Sequence, residues 1–185
     1  MKKTNFKYVL FISSFIALAI GINSCKETEN PPEPTNEEEL ITTLKVELKD
    51  TLNGQLYSYF FRDTDGEGGN PPTQWDTIKM EPNKFYKVTL KFLNESDPNA
   101  IKDVTVEIEA EKMNHLVCFD PVNINAVISK TDTDGTYSVG LLSTWKTGSS
   151  SIGSVTISLK HQPGIKNGTC DIGETDVEVK FPVKM

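Results

Sequence analysis

Hydrophobic and polar residues alternate with a period of two over most of the chain from Leu40 onward. Leu44, Val46 and Leu48 alternate with Lys45, Glu47 and Lys49, and Tyr57, Tyr59 and Phe61 with Ser58 and Arg62. The same holds for Tyr86, Val88, Leu90 and Phe92, and for Val104, Val106, Ile108 and Ala110. Val155, Ile157 and Leu159 repeat it, as do Val177, Val179, Phe181 and Val183. Each run predicts a strand with one buried and one wet face. His115 to Phe119, Ile124 to Lys130 and Tyr137 to Trp145 are β-rich runs with less regular alternation. Turn residues separate them: Leu52-Asn53-Gly54, the Gly/Pro/Asp-rich stretch from Asp63 to Pro72, Glu81-Pro82-Asn83, Asn94 to Asn99, Asp132-Thr133-Asp134-Gly135 and Gln162-Pro163-Gly164. Asp97 to Lys112 also fits a helix through Val104 and Ile108, and its β-branched residues favour a strand. Pro182 predicts that the last strand lies at an edge or ends in a bulge. Eight or nine short strands predict an all-β domain over 40–185, a single antiparallel β-sandwich of Ig-like class.

The first 39 residues follow other rules. Met1 to Lys7 carries three lysines, and Tyr8 to Ile22 is mostly apolar. This is the layout of a secretory signal peptide. The alternative, a membrane-spanning anchor, asks for roughly 20 predominantly apolar residues, and Ser13, Ser14 and Gly21 interrupt a shorter run here. Ile22-Asn23-Ser24-Cys25 follows directly and resembles the lipobox of bacterial lipoproteins. The expectation is a signal peptide over 1–24, a lipid on Cys25 and an exported chain held to a bilayer by several acyl chains. Residues 26–39 hold six Glu, three Pro and almost nothing apolar. They predict a disordered, extended tether, long enough at about 3 Å per residue to hold a domain about 40 Å from the membrane.

Charge narrows the partners. The whole chain is at −7, and because the first 24 residues carry three Lys and no acid, the remainder is more acidic still, with Arg62 its one arginine. Such a surface repels nucleic acid. Cys118 and Cys170 remain in the domain. In an exported protein an even pair reads as a disulfide; the alternative is two buried thiols that never meet.

From Asn36 onward the chain resembles a family of small lipoproteins of the Bacteroidota, flavobacterial type. The residues that carry the likeness are Asn36-Glu37-Glu38-Glu39-Leu40-Ile41-Thr42-Thr43, Phe61-Arg62-Asp63-Thr64-Asp65-Gly66-Glu67-Gly68-Gly69-Asn70, Phe92-Leu93-Asn94-Glu95, His115, Asp132 to Gly135 and Gly173 to Val179. Such proteins are often labelled type 1 periplasmic-binding-fold proteins. That fold needs two α/β lobes, and this chain is too short and too β-rich to build them. The resemblance implies an accessory role beside an outer-membrane TonB-dependent receptor. Lys26-Glu27, just after the cysteine, is similar to the lineage's surface-export signal; the alternative is a domain facing the periplasm. Asp50-Thr51-Leu52 and Asp76-Thr77-Ile78 resemble its O-glycosylation triplet, which makes Thr51 and Thr77 candidate sites.

Asp63-x-Asp65-Gly66-x-Gly68 offers the alternating carboxylates and turn glycine of a calcium loop. Gln74 stands where the bidentate Glu would be, so the competing reading is an Asx-rich turn. Asp132-x-Asp134-Gly135 reads as a hairpin turn. His115 and His161 are the only histidines. They lack a zinc-site spacing and read as partly buried strand residues, with a haem or metal contact from His115 as the alternative. Gly148-Ser149-Ser150-Ser151-Ile152-Gly153 is no nucleophile elbow, and no Gly-rich loop runs into Lys-Ser or Lys-Thr. Trp75, Trp145, Tyr57, Tyr59, Phe60 and Phe61 are either core or an exposed aromatic platform. The expectation is a non-enzymatic, lipid-anchored accessory or ligand-binding module of the outer membrane. The alternatives are a structural envelope protein without a small ligand and a secreted hydrolase, the latter needing a deep polar pocket.

Overall fold

The computed structural model describes residues 40–66 and 68–185. The expected signal peptide, Cys25 and the expected tether lie outside the described residues. The strands are β1 (Thr43–Asp50), β2 (Leu56–Arg62), β3 (Gln74–Trp75), β4 (Ile78–Lys79), β5 (Phe85–Asn94), β6 (Lys102–Asp103), β7 (His115–Val122), β8 (Ala126–Lys130), β9 (Leu142–Thr147), β10 (Ile152–His161) and β11 (Glu174–Lys184). One short helix, α1 (Thr105–Ala110), lies between β6 and β7. The first sheet runs β3-β2-β1-β5-β9-β8, with β6 against the end of β5, and the second runs β4-β11-β10-β7. The domain is all-β with two packed sheets. Every pairing is antiparallel except β4 with β11, which is parallel.

The core is what the alternation dictates. Leu44, Val46, Leu48, Val88, Leu90 and Phe92 of the first sheet are buried against Val155, Ile157, Leu159, Val179, Phe181 and Val183 of the second. Burying each such side chain stabilises the fold by roughly 1.5–3 kcal/mol. Trp145 on β9 is fully buried, edge-on to Phe119 of β7 at 6.0 Å, and its indole N–H donates to Ser143 Oγ. The chain changes sheets between β3 and β4, and both sides of the corner are tied across. Trp75 Nε1 donates to Lys180 O of β11 at 3.1 Å, and the Tyr59 hydroxyl donates to Lys79 O at 2.7 Å.

One expectation changes, one is refined and one open alternative is decided. The run from Val104 to Ala110 is no strand but contains α1. Val104 and Ile108, four apart, are buried, whereas Val106 is 66% exposed; in a strand all three would share one face. The reason lies on β5, where Thr105 Oγ1 accepts the Phe92 N–H and donates to Phe92 O. One side chain meets the need that a further strand would have met. Secondly, β11 is an edge for most of its length but not at its end, where β4 pairs with Val183 and Lys184 alone. Lys180 O turns to Trp75 and Lys184 O to Met80 N. Alternate residues present their backbone groups to the same side, so the nitrogen of Pro182 also points away from β10, where no ladder bond is lost. The bulge falls elsewhere, at Leu159/Lys160. Thirdly, the aromatic residues form no platform. Trp145 is core, Tyr57, Tyr59 and Phe61 pack on the core's margin, and Phe60 lies under the cations of Lys45 and Arg62. Trp75 is exposed, yet Phe61 meets it edge-on at 6.0 Å.

Candidate functional site

Strand β5 is longer than its neighbours on one side. β9 pairs with Phe85 to Thr89, β6 pairs with Leu93 and Asn94, and the edge between them is left without a strand. Leu141 O accepts the Leu90 N–H there, and Thr105 Oγ1 accepts that of Phe92. The gap opens as a groove of about 270 Å³ between α1 and the 132–142 segment. Its floor is apolar, with Leu90, Val139 and Leu141, and exposed Val106 and Leu142 stand at its sides. Its rim is charged. Lys91 pairs with Asp103 at 3.0 Å, Lys112 Nζ donates to Thr133 O, and both Asp132 carboxylate oxygens accept backbone N–H groups, from Gly140 at 2.7 Å and Leu142 at 3.1 Å. Lys91, Asp103, Lys112 and Asp132 are thus engaged, Glu109 also stands on the rim, and neither histidine nor cysteine lines the groove. A small, largely apolar molecule with a polar end matches such walls.

A second, wider hollow of about 860 Å³ opens beside the Asp63 loop, between Leu40, Phe61 and Val177. Asp65 Oδ2 accepts both the backbone N–H and the side-chain amide of Asn70, at 2.8 and 2.6 Å, which closes the loop on itself. These bonds hold the Asp65 carboxyl below its usual range. Asp63 is pushed up, chiefly by burial and then by the neighbouring Asp65, and its Oδ1 is buried without a hydrogen-bond partner among the described residues. The two calcium candidates thus lie together, with one of them spent on the turn.

Cys118 of β7 and Cys170 of the β10–β11 connection are joined by a disulfide, with Cα atoms 6.1 Å apart. Thr51 and Thr77 are both exposed, and the Thr51 hydroxyl donates to Phe85 O. In the serine-rich loop, Ser149 and Ser151 accept hydrogen bonds from Asn125 and so support the turn.

The two histidines, read from sequence as separate strand residues, stand directly opposite each other on β7 and β10. Their rings stack at 4.8 Å with 15° between planes, and Glu111 completes a group of three potential metal ligands. A signal for this existed. His115 begins its strand and His161 ends one, and antiparallel pairing sets the start of one strand against the end of its neighbour. What the sequence did not announce was that these two strands are neighbours.

Compared with family models, with curated proteins and with solved structures, the chain finds no match in any of the three.

Proposed function

We propose that this chain is a lipid-anchored lipoprotein of the outer membrane, displayed at the cell surface, whose sandwich is a non-catalytic binding module for a small amphipathic ligand. In this reading Cys25 carries the lipid, residues 26–39 are the tether, and an outer-membrane uptake receptor of the TonB-dependent kind is the partner. The sandwich serves as an Ig-like scaffold, a rigid two-sheet body that offers its variable chemistry in loops and edge gaps. The observation that carries the binding role is the groove beside β5, with an apolar floor inside a charged rim on which Lys91 and Asp103 form an ion pair. The anchoring rests on Ile22-Asn23-Ser24-Cys25 after an apolar run.

The test is made on whole cells, with the tagged full chain and its Cys25→Ala variant. Protease shaving of intact cells should remove the wild type, and the variant should leave the membrane fraction. A pull-down of the shaved form should then recover a receptor, and Leu142→Arg in the groove should stop ligand delivery without unfolding the domain. Wild type that fractionates as soluble would end the lipoprotein reading; wild type that is membrane-bound but protected would turn the domain to the periplasm.

A further inference from the structure

The end of the sandwich where β7 begins and β10 finishes holds chemistry that the groove does not use. His115 is 2% exposed, and its Nδ1 donates to the Glu111 carbonyl oxygen at 3.2 Å. His161 faces it as a stacked ring, half-exposed, and the Glu111 side chain is exposed beside them. One ring nitrogen from each histidine and one carboxylate oxygen of Glu111 lie within 4.8 Å of one another.

We propose that Glu111, His115 and His161 form a binding site for a divalent transition metal of the zinc, nickel or copper type. The donor set decides the class. Two imidazoles and one carboxylate suit these borderline ions, whereas calcium and magnesium take oxygen shells. The hydrogen bond that orients such a ligand is present as well. A ligating histidine usually donates its other N–H to a carbonyl or carboxylate, which fixes the tautomer. The Glu111 carbonyl does this for His115 and leaves Nε2 with its lone pair free of a proton. The cation facing the site is Lys166, and its charge is held elsewhere: Nζ lies 2.6 Å from Asp134 Oδ2 and donates to Lys112 O at 2.7 Å.

The arrangement is open and poised rather than closed. Ligands on a tetrahedral zinc with bonds near 2.0–2.1 Å stand about 3.3 Å apart, so uptake draws the donors inward. His161 and Glu111, the two on the solvent side, are free to make that movement while His115 stays seated in the core. Three protein ligands leave a fourth position for water or for a group from a partner. This site lies on residues that do not line the groove, and it stands or falls independently of the lipoprotein reading.

The experiment is a calorimetric titration of the purified full chain with Zn²⁺, alongside His161→Ala, Glu111→Gln and Asp65→Asn, with circular dichroism to confirm folding. The expected result is one saturable site per chain. His161→Ala should weaken it by about tenfold or more, Glu111→Gln by a smaller factor, and Asp65→Asn should leave it unchanged. Copper-loaded wild type should show electron-spin resonance splitting from two imidazole nitrogens, reduced to one in His161→Ala. Because His115 is buried and its replacement risks the fold, the half-exposed His161 decides the matter. Wild type without saturable binding below about 1 mM metal, or His161→Ala with wild-type affinity and spectrum, overturns the proposal.

Discussion

Asp63-Thr64-Asp65-Gly66 and Asp132-Thr133-Asp134-Gly135 are the same four residues in two places, and both glycines take a left-handed φ, +80° and +109°. The left-handed glycine is shared; the hydrogen bonds around it are not, with Gly66 N–H donating to Asp63 O in the first and Asp134 N–H to Tyr137 O in the second, and neither is the fate of the charge. In the second copy Asp134 Oδ1 accepts the N–H groups of Thr136 and Tyr137 at 2.8 and 2.7 Å, and Oδ2 takes the Lys166 ammonium at 2.6 Å. With both side chains buried to 4% exposure, Lys166 above all holds the Asp134 carboxyl down to about 2. In the first copy the Asp65 carboxylate is turned back on Asn70, no lysine among the described residues pairs with it, and burial pushes Asp63 up. Four residues set a turn. Whether its carboxylates stabilise the fold is set by what the tertiary structure brings from far along the chain.

What it brings is the β10–β11 connection. Gln162, fully buried, donates to the carbonyls of Thr169 and Ile172 and so shapes that segment from inside. Gly173, at φ +82°, ends it where a Cβ would run into the His161 carbonyl. Gly168 lets the segment sit flat on the Tyr137 ring of the second copy. The disulfide ties it to β7. Breaking that link is the largest single blow to the comparison: Cys118→Ser with Cys170→Ser should cost about 4 kcal/mol on the chain-entropy estimate, read from urea denaturation. Lys166→Ala comes next, at about 3 kcal/mol, because it leaves Asp134 buried without its cation. Adding Asp134→Asn to Lys166→Ala should return a large part of that loss. Disulfide and lysine hold the same segment, so the two costs should overlap when combined; full additivity would mean that the segment stays in place without its disulfide.

These connections also mark what could be read from residues alone. The six clear alternations supplied five strands and most of the core, because a period of two needs only neighbours to be seen. The sixth, Val104 to Ala110, misled because β-branched residues at alternating positions also supply Val104 and Ile108 at helical spacing. Only Phe92's need for a side-chain partner, met by Thr105, separates the two. The Asp63–Asn70 turn was legible as an Asx loop, since Asn70 is close in sequence. The Asp134–Lys166 pair, the His115–His161 stack and the groove beside β5 were not, because each depends on which strands become neighbours.

Acid separates the two copies by sign. An acid whose folded pKa lies below its unfolded one stabilises the fold above the unfolded value, and that contribution is lost as pH falls from about 3.8 towards 2. Asp134 follows this rule, so wild type should lose melting temperature in that window, and Lys166→Ala should lose less because the contribution is already gone. Asp63 has its folded pKa raised, so its charge costs stability at neutral pH and the cost fades as pH falls through that value. Asp63→Asn should therefore melt at the same temperature as wild type or higher at pH 7, with the difference closing near pH 4. A drop at pH 7 would mean that the Asp63 carboxylate has a cationic partner in solution.

Calcium offers that partner its fairest trial, and the smallest expected effect. A calcium ion takes six to eight oxygens, usually with a bidentate carboxylate among them. Here Asp65 Oδ2 already accepts two hydrogen bonds from Asn70, and Gln74, on β3, donates its side-chain amide to Asp76 and accepts from Arg62. The second copy is less available still, since Asp132 and Asp134 are filled by four backbone N–H groups and a lysine. Millimolar Ca²⁺ should leave the melting temperature of wild type unchanged. A rise that vanishes in Asp63→Asn but survives Asp134→Asn would show that the first copy trades its hydrogen bonds to Asn70 for an ion. The two identical tetrapeptides would then differ not in whether their charge is answered, but in whether the answer comes from the chain or from solution.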